Sequence, residues 1–94
     1  MTNKEFQEKC INLVREYTNE HLDKTDNIPF KLFPIQITNE DVYIVWCCKT
    51  LQNHKALLST TNKDGMYYEI TYNGDKNEIY FDAYKKFENR CIKL

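Results

Sequence analysis

Glycine and proline are scarce, two of each in 94 residues, and no stretch is dominated by one charge sign. With glycine only at positions 65 and 74, the chain has no glycine-rich loop to cradle a phosphate. No Cys-x-x-Cys pair supplies zinc-finger spacing, and Ser59-Thr60-Thr61 lacks the glycine elbow of a serine nucleophile. Lysine and arginine total 13 against 14 acids, a net charge of -1 that argues against a general nucleic-acid binder. No apolar run approaches the roughly 20 residues that span a bilayer. Met1-Thr2-Asn3-Lys4-Glu5 leads into no apolar signal core, so a cytosolic protein is expected. Repeats and low-complexity segments are missing too.

What is present belongs to a folded chain: 41% apolar residues, 14% aromatic, in a length that makes one domain with one core. Thr2-Asn3-Lys4-Glu5 fits a capping box, in which hydroxyl and carboxylate each satisfy an orphan amide. Behind it Phe6, Cys10, Leu13, Val14 and Tyr17 form one apolar stripe, which predicts a helix over 2–22. A polar break follows from Asp23. Residues 28–37 combine large apolar side chains with Pro29 and Pro34, reading as an extended arm over the core instead of a central strand. Thr38-Asn39-Glu40-Asp41 reads as a single helical turn.

Residues 41–83 read as an antiparallel sheet. Val42-Tyr43-Ile44-Val45-Trp46 is apolar on both faces and is expected in mid-sheet. A turn at Gln52-Asn53-His54 leads to a second strand over 55–61. Asn62-Lys63-Asp64-Gly65 and Asn73-Gly74 supply turns around a third strand over 66–72. A fourth strand over 78–83 runs into a short helix over 82–92, with Phe81, Tyr84, Phe87 and Cys91 on one face. The expected fold is therefore α+β: a four-stranded antiparallel meander with an N-terminal and a short C-terminal helix on one face, in the order α-β-β-β-β-α.

Alternation then sorts the candidate site. With Tyr68, Ile70, Tyr72, Ile79, Phe81 and Ala83 toward the helices, Tyr67, Glu69, Thr71, Glu78, Tyr80 and Asp82 face away. Tyrosines interleaved with acids suit a basic protein surface, so Tyr67, Glu69, Tyr80 and Asp82 are the candidate partner-binding residues, assisted by acids of the first helix. An ordinary solvated face with tyrosine pairs across strands has the same pattern. The four cysteines are expected as free thiols, because adjacent Cys47 and Cys48 point to opposite faces and the cytosol is reducing. A zinc ion, if held, would draw on Cys10, Cys47, Cys48, Cys91, His21 and His54, a favourable ligand count with no supporting spacing. A nucleophilic cysteine with His54 as base would be the enzyme reading, but no reaction class gains a full set of roles; no enzyme is expected. A homodimer would give the doubly apolar first strand cover on both faces.

Further identities carry a resemblance. Val42-Tyr43-Ile44-Val45-Trp46, Cys48-Lys49-Thr50-Leu51-Gln52-Asn53, Lys55-Ala56-Leu57, Gly65-Met66-Tyr67-Tyr68-Glu69, Thr71-Tyr72-Asn73-Gly74-Asp75-Lys76, Tyr84-Lys85-Lys86 and Asn89 to Ile92 resemble a family of small proteins of unknown function. That family is carried by phages and prophages of low-GC Gram-positive bacteria, and His54 stands where relatives often have tryptophan. The resemblance assigns no site residues. It implies a small accessory protein working in the host cytoplasm, of the kind that inhibits one host protein. An anti-CRISPR inhibitor of a Cas9-type nuclease is the leading expectation, acting by occluding a nucleic-acid-binding surface or a lobe. A phage regulatory or adaptor protein, or a zinc-stabilised domain, is the alternative.

Overall fold

The computed structural model describes residues 1–25 and 36–94. Helix α1 (Asn3–Thr25) starts on the expected box: Thr2 N donates to Glu5 Oε1 and Glu5 N to Thr2 Oγ1, each at 3.1 Å. It runs to Thr25, so the break expected at Asp23 does not occur there; Asp23, Lys24 and Thr25 extend the final turn. The arm expected over 28–37 lies outside the described residues except for Gln36 and Ile37. Ile37 is buried and held by Asn19, whose side chain accepts from Ile37 N at 2.7 Å and donates to Ile37 O at 3.0 Å. One amide thus satisfies both backbone groups, as a neighbouring strand would. A 3-10 turn (Asn39–Asp41) follows, as expected, with Thr38 N donating to Asp41 Oδ2 at 2.9 Å.

Strands β1 (Val42–Thr50), β2 (Asn53–Thr60), β3 (Met66–Asn73) and β4 (Glu78–Lys85) form an antiparallel sheet in the order β1-β2-β3-β4. The meander is as predicted, but β1 is an edge strand and not a central one. Its outward side chains Tyr43, Val45 and Trp46 stay exposed. The register slips between Ile44 and Trp46, leaving Val45 as a bulge and turning Trp46 to the outward side opposite Leu57.

The predicted C-terminal helix is not formed. β4 continues to Lys85 because Met66 and Tyr67 offer it partners in Lys85 and Tyr84, and Lys86 N still donates to Gly65 O at 2.8 Å. Residues 86–94 are irregular. Phe81 and Tyr84, three apart, look like a helix face but alternate across a strand.

The core lies between α1 and the sheet: Phe6, Cys10 and Val14 from the helix meet Val42, Ala56, Leu58, Tyr68, Ile70 and Tyr72. Leu13, Tyr17, Ile79 and Phe81 pack partly buried around it, completing the predicted stripe. Fully buried side chains such as Phe6, Leu58 and Ile70 each contribute about 1.5–3 kcal/mol. α1 packs over β1, β2 and β3, and Tyr17 reaches Phe81 on β4 at 5.1 Å. Ala83 lies beyond that cover and is exposed, contrary to its expected place under a helix.

Two turns interlock at one end of the sheet. Thr50 already faces Asn53, so Leu51 and Gln52 alone make the first turn, with Leu51 left-handed at φ 56°. At the second, the left-handed residue is Asn77, φ 53°, and Gly74 serves for closeness instead. A Cβ at Gly74 would overlap the backbone oxygen of Gln52. Gly74 N donates to Asn53 Oδ1 at 3.0 Å, and Gln52 Nε2 donates to Asp75 Oδ1.

Candidate protein-interaction face

An antiparallel sheet with a helix on one side leaves its other side to solvent or to a partner. The register fixes what that side carries. One row across it reads Trp46, Leu57, Glu69, Asp82; the next reads Cys48, Lys55, Thr71, Tyr80. Tyr67 and Tyr84 form a third pair, with Tyr43 opposite Ser59 alongside. All four candidate residues, Tyr67, Glu69, Tyr80 and Asp82, therefore share the uncovered side, on adjacent strands. Three further aromatics flank them, Tyr43 and Trp46 on one edge strand and Tyr84 on the other; with Tyr80 they are each between 42% and 53% exposed.

Sequence reasoning missed Tyr43, Trp46, Leu57 and Tyr84. Continuing the alternation into β1 and β2 reaches Tyr43 and Leu57. Trp46 depends on the bulge, which period-two counting cannot see, and Tyr84 had been placed on the unformed helix.

Charge on this face is specific. Lys55 Nζ pairs with Glu69 Oε1 at 3.2 Å. Asp82, directly opposite Glu69, has no ion-pair partner among the described residues. Tyr80 donates its hydroxyl to Glu78 Oε2 at 2.7 Å, and that bond to an anion pushes the phenol's pKa up. Lys86 Nζ stands 5.8 Å from the Tyr67 ring centre, a cation over a π face. Beside it a shallow depression of about 450 Å³ is lined by Tyr43, Ser59, Asn62, Tyr67 and Lys86. The surface is thus aromatic at both edges and acidic in excess along β3 and β4.

Of the metal candidates, Cys10 and Cys47 lie near one another. Cys10 is buried on α1, Cys47 points inward from β1, Cys48 outward, and Cys91 is exposed in the C-terminal segment; all four are free thiols. His21 stacks on Tyr17 at 3.9 Å with Nδ1 2.9 Å from Tyr17 O. Among the described residues no three His, Cys, Asp or Glu side chains converge as metal ligands. His54 was expected in a solvated turn. The two-residue turn draws it into β2, where it is buried, stacked on Phe6 at 4.9 Å. Its Nε2 bonds Met1 O at 3.2 Å, while Nδ1 has no partner among the described residues. Neither nitrogen engages a cysteine, so the nucleophile–base pair is not assembled.

Among the described residues, one long helix lies on one side of a four-stranded meander and none covers the other side, the arrangement of a small α+β domain. The chain belongs to DUF6275, a family of unknown function whose match spans residues 7–94. No curated protein and no solved structure matches it. No helix among the described residues is long and apolar enough to cross a membrane.

Proposed function

We propose that this chain is a non-enzymatic binding module that holds a partner protein against its uncovered sheet face. One observation carries the reading: Tyr43, Trp46, Tyr80 and Tyr84 stand exposed around the acidic Glu69–Asp82 pair on one side of the sheet. Tyrosine and tryptophan supply large buried area at low entropic cost, and they are the residue types that anchor interfaces. The Asp82 carboxylate, without an ion-pair partner among the described residues, and its neighbour Glu69 select a partner with a basic surface. Surfaces that grip nucleic acid are basic, and acids spaced along a strand can stand in for phosphates on them.

The resemblance to phage and prophage proteins supports the narrower reading, a counter-defence inhibitor that occludes the nucleic-acid channel of a host nuclease of the Cas9 type. The test uses the Glu69→Lys, Asp82→Lys double variant beside wild type. Both side chains are on the side away from α1, and a partly exposed ion pair such as Lys55–Glu69 contributes about 1 kcal/mol, so the variant is expected to fold. Wild type is expected to block target cleavage by a purified guide-loaded nuclease, and the double variant to lose at least tenfold of that potency, about 1.4 kcal/mol. Equal inhibition by both removes the face from the mechanism. No inhibition by wild type removes the nuclease, and leaves capture from a host lysate, compared between the two proteins, to identify the partner of an adaptor.

A further inference from the structure

We propose that in the free protein a second copy of the chain covers this face, its C-terminal arm, residues 86–94, lying across the sheet. This rests on the reading of the face as a binding surface and names a ligand for it. Every residue from 87 to 94 is exposed, and Phe87 at 98% and Ile92 at 76% present apolar side chains to water. Among the described residues the arm is tied to its own body at the root, by the Lys86 N bond to Gly65 O and the Lys86 ammonium over Tyr67. Further along, Arg90 Nε pairs within the arm with Glu88 Oε1 at 3.0 Å. The family match runs through residue 94, so the arm belongs to the shared domain.

Arm and face complement each other twice. The arm carries Lys86, Arg90 and Lys93 against Glu88, while the face carries Glu69, Glu78 and Asp82 against Lys55. The arm's Phe87 and Ile92 match the exposed Trp46, Tyr43, Tyr80 and Tyr84 of the face and the half-buried Leu57 between them. Length also fits: nine extended residues reach about 30 Å, and four strands make a surface about 14 Å across. Lys86 at the root lies over Tyr67 of its own face, but residues 87–94 are exposed throughout and make no hydrogen bond or ion pair to that face among the described residues, so the face they cover is another copy's. Exchange of two arms is isologous and closes as a dimer.

The test is sedimentation velocity of the purified full chain over a dilution series from about 1 mM down to the micromolar range. Wild type is expected to pass from dimer to monomer on dilution, and to shift toward monomer as salt screens the charge pairing. An arm variant, Phe87→Ser with Ile92→Ser, is expected to stay monomeric, as is the face variant, Glu69→Lys with Asp82→Lys. An equimolar mixture of the two is expected to form a dimer holding one of each, because one intact arm meets one intact face. Wild type monomeric at the top concentration, a dimer that survives in the arm variant (pairing through a bare strand edge), or a mixture that stays monomeric each overturns the proposal. No partner protein is present in that experiment. If dimerisation fails while partner capture still responds to Glu69→Lys with Asp82→Lys, only the arm is overturned and the face reading stands.

Discussion

Cys10 has no exposed surface and sits on the inward stripe of α1, where burial, and secondarily the nearby Cys47, push its thiol pKa from 9.0 up to about 12. Tyr68 shifts the same way, chiefly by burial. Between those limits the unfolded chain has lost the Cys10 proton while the folded chain keeps it. Stability is therefore complete below pH 9 and falls as pH rises toward 12. We expect a loss of about 2 kcal/mol between pH 9 and pH 11, read as a lower denaturant midpoint, with a shallower fall in Cys10→Ala. A midpoint independent of pH across that window would contradict the burial of this thiol. The inward position of Cys10 was legible in the sequence, because its spacing from Phe6 and Val14 is helical. The burial of His54 was not. It follows from where a two-residue turn begins, and leucine at a left-handed position gives no turn signal to count.

At the scale of elements, α1 and the meander were legible because each rests on one strong period over many residues. The C-terminal helix was expected where two periods compete. Phe81, Tyr84, Phe87 and Cys91 fit a helix, while Tyr80 to Lys85 fit a strand, and the waiting partners Met66 and Tyr67 decide for the strand. Apolarity on both sides of β1 signals cover on both sides. Among the described residues only the α1 side receives it, and the strand lies at the sheet edge with Tyr43, Val45 and Trp46 exposed.

The interlocked turns add a contact that no local pattern encodes. Gly74 lies against Gln52, with Asn53 and Asp75 bonding across. Gly74→Ala must displace backbone and is expected to cost about 2 kcal/mol or more, within the range of overpacking. An unchanged melting temperature in that variant would show that the two turns do not dock.

For the whole molecule, a single helix cannot cover two sides of a sheet, and this one protects the side lined by Leu58, Ile70 and Tyr68. The other side was half legible: Tyr67, Glu69, Tyr80 and Asp82 follow from alternation, whereas its tryptophan depends on a bulge. That tryptophan is the chain's only one, at the edge of the proposed interface and 42% exposed. It reports directly on the face. The decisive measurement is acrylamide quenching of Trp46 fluorescence, first in the free protein at dilutions where it is monomeric, then in the complex with the captured partner. The account predicts a quenched, red-shifted Trp46 alone and a protected, blue-shifted one when the face is filled. A stable complex that leaves Trp46 as open to quencher as before would place the binding surface elsewhere and contradict the account.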